Sequence, residues 1–163
     1  MKKLLVLIAS LCLGSLIAEA VKFEQKIYIK ASKEKVFAAL TTAETVSQYY
    51  MCPAECIGTK KGDKVIYAIK GQQVITGEVL NIEKDRIFSH SFRFLPLSQQ
   101  YKDHKATKVT YRIQEGQGFV ILHLSHSGFK AKDQNYHNIA GGWPYILSNL
   151  KTYLETGKTL KQS

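Results

Sequence analysis

The chain has 163 residues, with 23 Lys and Arg against 13 Asp and Glu, for a formal charge of +10. That length fits one ordinary domain with its own core. The charge favours acidic partners such as anionic lipid head groups, cell-wall polymers or an acidic protein face. The basic residues are scattered, with Lys60-Lys61 and Lys130/Lys132 as the only small clusters, and no RNA- or DNA-binding motif is present. Nucleic acid is therefore not an expected partner.

Lys2 and Lys3 precede an apolar run from Leu4 to Ile17, and Ala18-Glu19-Ala20 follows it. A positive start, an apolar stretch and small residues at a cleavage point are the layout of a secretory signal peptide. The expectation is a signal peptide over residues 1–20 and a mature domain over 21–163, periplasmic or secreted. The alternative is an uncleaved N-terminal anchor. The run is shorter than the roughly 20 residues of a membrane span, and no second such run exists, so no span remains after cleavage. Leu11 stands where a lipoprotein site needs a small residue before Cys12.

Phe23 to Lys30 alternates apolar and polar residues and predicts a half-buried strand. Ser32 is a good helix N-cap, and Glu34 follows in the first turn, where the helix dipole favours negative charge. Val36, Phe37 and Leu40 recur at helical spacing. A second short helix is predicted from Ala43 to Tyr50, stopped by Pro53. Strands are predicted at Lys64–Lys70, Val74–Glu83, Arg86–Phe94, Lys108–Gln114 and Phe119–Ser127. Gly71 and the run Glu115-Gly116-Gln117-Gly118 mark two hairpins. The polar stretch from Pro96 to His104 is irregular.

Cys52 and Cys56 flank Pro53. In an oxidising compartment a close pair favours a structural disulfide, while reduced thiols or a redox or metal role are the other readings. The spacing is C-x3-C, with no second ligand pair beside it.

Tyr136, Ile139, Trp143, Ile146, Leu147, Leu150 and Leu154 follow helical spacing and predict one long amphipathic helix ending at Gly157. Pro144, next to Gly141-Gly142, predicts a kink or a helix that begins at Trp143. The order is strand, two short helices, further strands, long helix. It implies an α+β fold: a curved antiparallel sheet of about six or seven strands gripping the C-terminal helix, with two short helices after the first strand.

Three stretches carry a resemblance. IYIKASKEKVFAALTTAETVSQYY, GEVLNIEKDRIFSHSF, and LSHSGF with GGWPYILSNLKTYLETGK resemble, in order, the opening, the middle strand pair and the closing Gly-Trp helix of one family. This is the Hsp90-ATPase-activator-homologue family of the START-like (SRPBCC, Bet v 1-like) superfamily. The family's tryptophan-rich segment is replaced here by Tyr49-Tyr50-Met51-Cys52-Pro53. The resemblance implies a helix-grip fold with a cavity between sheet and helix.

The aromatics Tyr49, Tyr50, Tyr67, Phe88, Phe92, Phe94, Tyr111 and Trp143 supply apolar walls with a few hydroxyls, as small-molecule pockets do. Each also suits a filled core. The expected lining is Tyr67, His90, Phe92, Tyr111 and Trp143. His90 shares a strand face with Phe88, Phe92 and Phe94, and is either a polar group orienting a ligand or a hydrogen-bonded strand histidine. His123 and His126 lie three apart and face opposite sides of a strand. His126 reads as structural, within the SGF turn. His104 and His137 lie in polar segments. No metal, cofactor or catalytic residue is assigned, because no H-x-x-x-H, H-E-x-x-H, paired-carboxylate or G-x-S-x-G spacing occurs. The expected function is binding of a hydrophobic or amphipathic small molecule. The alternatives are a co-chaperone-like interaction module in the cell envelope and a cavity enzyme of cyclase or hydrolase type.

Overall fold

In the computed structural model, residues 21–95 and 105–160 are described. The signal peptide expected over residues 1–20, Cys12, and the stretch from Pro96 to His104 lie outside them. The order is β1 (Val21–Ile29), α1 (Lys33–Thr41), α2 (Ala43–Tyr49), β2 (Ala54–Ile57), β3 (Lys64–Ile69), β4 (Gln72–Glu83), β5 (Ile87–Phe94), β6 (Thr107–Glu115), β7 (Val120–Phe129) and α3 (Gln134–Thr156). The strands form one seven-stranded sheet in the order β1-β7-β6-β5-β4-β3-β2. Every pairing is antiparallel. This is the helix-grip α+β architecture that the pattern implied.

The local signals act as elementary chemistry requires. The Ser32 hydroxyl accepts from Lys35 N, and Asp133 does the same for Tyr136 N at the start of α3. Each satisfies one of the amides that a helix start leaves unpaired. Gly157 closes α3 in the left-handed conformation, where glycine carries no steric penalty.

Two expectations are corrected. β2 was not anticipated; its four residues, AECI, lack the alternation that marks longer strands. Its pairing with β3 and the bond from Ala54 N to Ser47 Oγ, at 2.9 Å, hold it in place. α3 begins at Gln134, more than two turns before Trp143, and runs through Pro144, which sets aside the alternative of a helix beginning at Trp143. Pro144 sits on the exposed face, so its ring points away from the packed stripe formed by Ala140, Trp143, Ile146, Leu147 and Leu150.

α3 also closes the β1 edge of the sheet. Lys151 Nζ donates to Tyr28 O at 2.6 Å, and Lys30 N donates to Glu155 Oε1 at 2.7 Å. An edge strand otherwise presents unpaired backbone groups to any passing strand. Among the described residues no helix is long and apolar enough to cross a membrane.

Candidate functional site

β5 alternates, so Phe88, His90 and Phe92 face α3 while Ser89 and Ser91 face away. Where α3 diverges from the sheet, a cavity of about 510 Å³ remains. The sheet contributes Ile69, Val74, Ile75, Phe92 and Phe94 to its wall, and Leu95 follows directly after β5. The helix contributes Ile139, Gly142, Trp143 and Ile146, and the chain leaving α2 adds Tyr50, Met51 and Cys52. Asn135 and Asn138 bring the side-chain amides of the wall.

Of the five residues expected to line a cavity, Phe92 and Trp143 do so. Tyr67, His90 and Tyr111 are buried but stand behind the wall. The rings of Tyr50 and Tyr67 stack at 4.5 Å, and Tyr111 meets Trp143 edge-on at 6.2 Å. Tyr50 and Trp143 thus take the positions on the cavity. Burial raises the hydroxyls of Tyr49, Tyr50, Tyr67 and Tyr111 above the ordinary phenol range, so all four stay neutral.

His90 is 1% exposed. Its Nδ1 donates to Ser91 O at 2.8 Å, which fixes the tautomer and leaves Nε2 as a buried acceptor without a partner. Burial lowers its pKa to about 4, against the opposing pull of the Ser91 carbonyl. His90 is a core histidine next to Phe88 and Tyr111 rather than a cavity group.

His126 does more than the sequence reading assigned it. It lies within β7, not in a turn, and is fully buried. The Trp143 indole Nε1 donates to its Nδ1 at 3.0 Å. An indole only donates, so Nδ1 carries the lone pair and Nε2 carries the proton. Nε2 lies 2.7 Å from Thr107 Oγ1, which in turn donates to Phe92 O at 3.0 Å. A directed chain of bonds therefore runs from α3 through β7 and β6 to β5. It positions both expected lining residues that reach the cavity. The Phe92 ring also packs edge-on against His126 at 4.9 Å. His123 faces the other side of β7, with Nε2 3.6 Å from Glu24, as their spacing required.

The structure holds Cys52 and Cys56 as thiols. The bridge expected from their spacing is not formed here: Cys52 turns into the core, while Cys56 lies on β2 with Sγ 3.4 Å from Lys64 O. Among the described residues no group of three or more His, Cys, Asp or Glu is placed to hold a metal ion.

Asn149 was not singled out from sequence. It is fully buried on α3; its Nδ2 donates to Tyr49 O and its Oδ1 accepts from Leu160 N, both at 2.7 Å. It ties the end of α2 and the chain after α3 to the helix that forms one cavity wall.

The sequence profile described as "Activator of Hsp90 ATPase homolog 1-like protein" matches residues 30–155. The chain belongs to this family. No curated protein matches the sequence. Among solved structures, the fold is similar to the Aha1 dimer from Colwellia psychrerythraea, at 19% identity, TM-score 0.70, and coverage of 85% of this chain and 98% of that one. It is also similar to protein MLL2253 from Mesorhizobium loti, at 19% identity and TM-score 0.72, covering 82% and 96%. An Hsp90 activator from Plasmodium falciparum, PFC0360w, gives 22% identity and TM-score 0.67 over 82% and 95%. At these identities the likeness speaks for the fold. This family member therefore shares the helix grip with those proteins, and its cavity is described from its own residues.

Proposed function

We propose that the protein binds a hydrophobic or amphipathic small molecule in the cavity between its sheet and α3. The observation that carries this reading is the wall itself. It is built of aliphatic and aromatic side chains, with the Asn135 amide to orient a polar end. Its volume falls within the roughly 300–1,000 Å³ of small-molecule sites. The indole N–H of Trp143 is already engaged by His126, so Trp143 offers a ligand mainly its apolar ring. A ligand held this way gains chiefly from burial of its own apolar surface.

The experiment follows from one residue. Trp143 is the single tryptophan of the chain and lies on the wall. Titration with an uncharged apolar probe such as N-phenyl-1-naphthylamine should change its emission saturably. Ile139→Phe, which fills the cavity from a half-buried position, should weaken that response about tenfold or more. A response that is absent, or untouched by Ile139→Phe, would count against the reading.

The proposal includes export: residues 1–20 as a cleaved leader and the mature chain in the periplasm or beyond. A mature protein whose first residue is Val21 supports it; an intact Met1 chain in the cytoplasm does not.

A second reading rests on membership of the activator family and on likeness to the Plasmodium falciparum Hsp90 activator. In that reading the basic surface engages an acidic protein in the cell envelope. Binding of such a partner should collapse with added salt, since exposed charges are screened within about 10 Å at 0.1 M. A cavity enzyme of cyclase or hydrolase type would show itself by turnover of a supplied substrate.

A further inference from the structure

One end of the sheet gathers four distant pieces of chain. Ile75 pairs with Phe94, Phe92 with Thr107, and Lys108 with Ser127. The β3–β4 turn, the end of β5, the start of β6 and the end of β7 therefore lie together. The cavity wall reaches this end through Ile69, Phe94 and Leu95.

Two properties coincide there. Met51, Ile69 and Phe94 all belong to the cavity wall, yet they are 60%, 46% and 37% exposed. Single exposed apolar residues are ordinary on any protein; three on one opening make an apolar rim. The second property is charge. Lys70 directly follows Ile69, Arg93 precedes Phe94, Lys105 leads into β6, and Lys130 and Lys132 lie between β7 and α3. All five are exposed. The carboxylate among these described segments is Asp133, and it is occupied as the N-cap of α3.

An apolar rim set among cations matches a surface that is anionic outside and apolar just beneath. A bilayer supplies both at once, phosphates at its surface and acyl chains directly below. We propose that this open end docks on an anionic lipid bilayer. Met51, Ile69 and Phe94 enter the head-group boundary, and Lys70, Lys130 and Lys132 sit against lipid phosphates. The cavity then opens toward the acyl layer, and an apolar ligand passes between bilayer and protein without crossing bulk water. This rests on the binding reading above and assigns the source of the ligand.

The test is co-sedimentation with vesicles of phosphatidylcholine alone and of equal parts phosphatidylcholine and phosphatidylglycerol. Binding to the mixed vesicles should be tighter by about tenfold or more and should weaken with salt. Lys70→Glu with Lys130→Glu and Lys132→Glu should abolish it, while the Trp143 response to the apolar probe remains. Ile69→Ser with Phe94→Ser should weaken vesicle binding even though every cation is kept. The proposal fails if the mixed vesicles are not bound, or if both sets of variants bind as tightly as the parent. It fails equally if the protein self-associates with rising concentration and Ile69→Ser abolishes that, because the rim is then covered by a second copy. A probe response without vesicle binding overturns docking alone. Vesicle binding without a probe response overturns the cavity reading, and with it the ligand's route, and leaves the docking.

Discussion

The indole of Trp143 donates to His126 Nδ1 at 3.0 Å, joining α3 to β7 through a bond buried in the core. The bond holds the helix wall of the cavity in register with the sheet wall, because His126 Nε2–H donates to Thr107 Oγ1 and Thr107 donates to Phe92 O. A buried chain of this kind is worth most when complete, since each broken link leaves an unpaired polar atom in a low dielectric.

Breaking that link should be costly from either side. Trp143→Phe keeps a large ring but leaves Nδ1 bare, and His126→Leu strands the indole N–H and removes a donor to Thr107. Each should lower stability by about 2–4 kcal/mol in urea unfolding. The double mutant should lose less than the sum, by about 1 kcal/mol or more. Simple additivity would show that the bond contributes no coupling between helix and sheet.

Acid should weaken the fold in a defined window. The unfolded chain protonates its histidines near pH 6.5, whereas the fold holds His90 down at about 4 and His126 at about 3. Burial is the main cause for both, and His90 adds to the effect at His126. The unfolded state therefore binds more protons in this range. The contribution of these two groups is intact above pH 6.5, falls as pH drops below it, and levels off only beneath their folded values. Each should contribute a slope that approaches about 1.4 kcal/mol per pH unit well below pH 6.5. Chemical denaturation between pH 7 and pH 5 measures the sum, and His126→Gln should flatten it by about half. An unchanged slope in that variant would contradict the assignment.

Asn149→Ala should cost about 2–3 kcal/mol, because Tyr49 O and Leu160 N lose their partner together. Hydrogen exchange should show the Leu160 amide opening first. Protection there equal to the parent would mean that Asn149 is not what anchors the chain after α3.

Gly77→Ala should destabilise the β4–β5 pair. A Cβ at Gly77 would meet Ser91 O at 1.8 Å, and a backbone oxygen inside a ladder has little room to yield. A loss of about 2–3 kcal/mol is expected by thermal unfolding. A change under about half a kcal/mol would show that the two strands can separate locally at no great cost.

Much of the fold was legible because the long elements repeat their signals. The stripe through Ile139, Trp143, Ile146 and Leu150 carried α3 despite Pro144, since packing along one face outweighs a single poor helix former on the other. β2 stayed hidden because four residues hold too little alternation to read, and its position depends on Ser47 and β3, which lie outside those four residues. For the site, Phe92 and Trp143 were readable as large apolar residues on faces that must meet. Tyr67 and Tyr111 were misplaced because which ring stands in front is decided by stacking with Tyr50 and Trp143. His126 and Asn149 looked ordinary for another reason: their importance lies in bonds to Trp143, Thr107, Tyr49 and Leu160.

Native against denaturing mass spectrometry of protein purified from its own source most directly tests whether the cavity holds a ligand. A reproducible extra mass under native conditions, lost on denaturation and diminished in the Ile139→Phe variant, is the predicted result. A bare chain under native conditions, with Trp143 emission unchanged when the protein is challenged with a total lipid extract, would contradict the account.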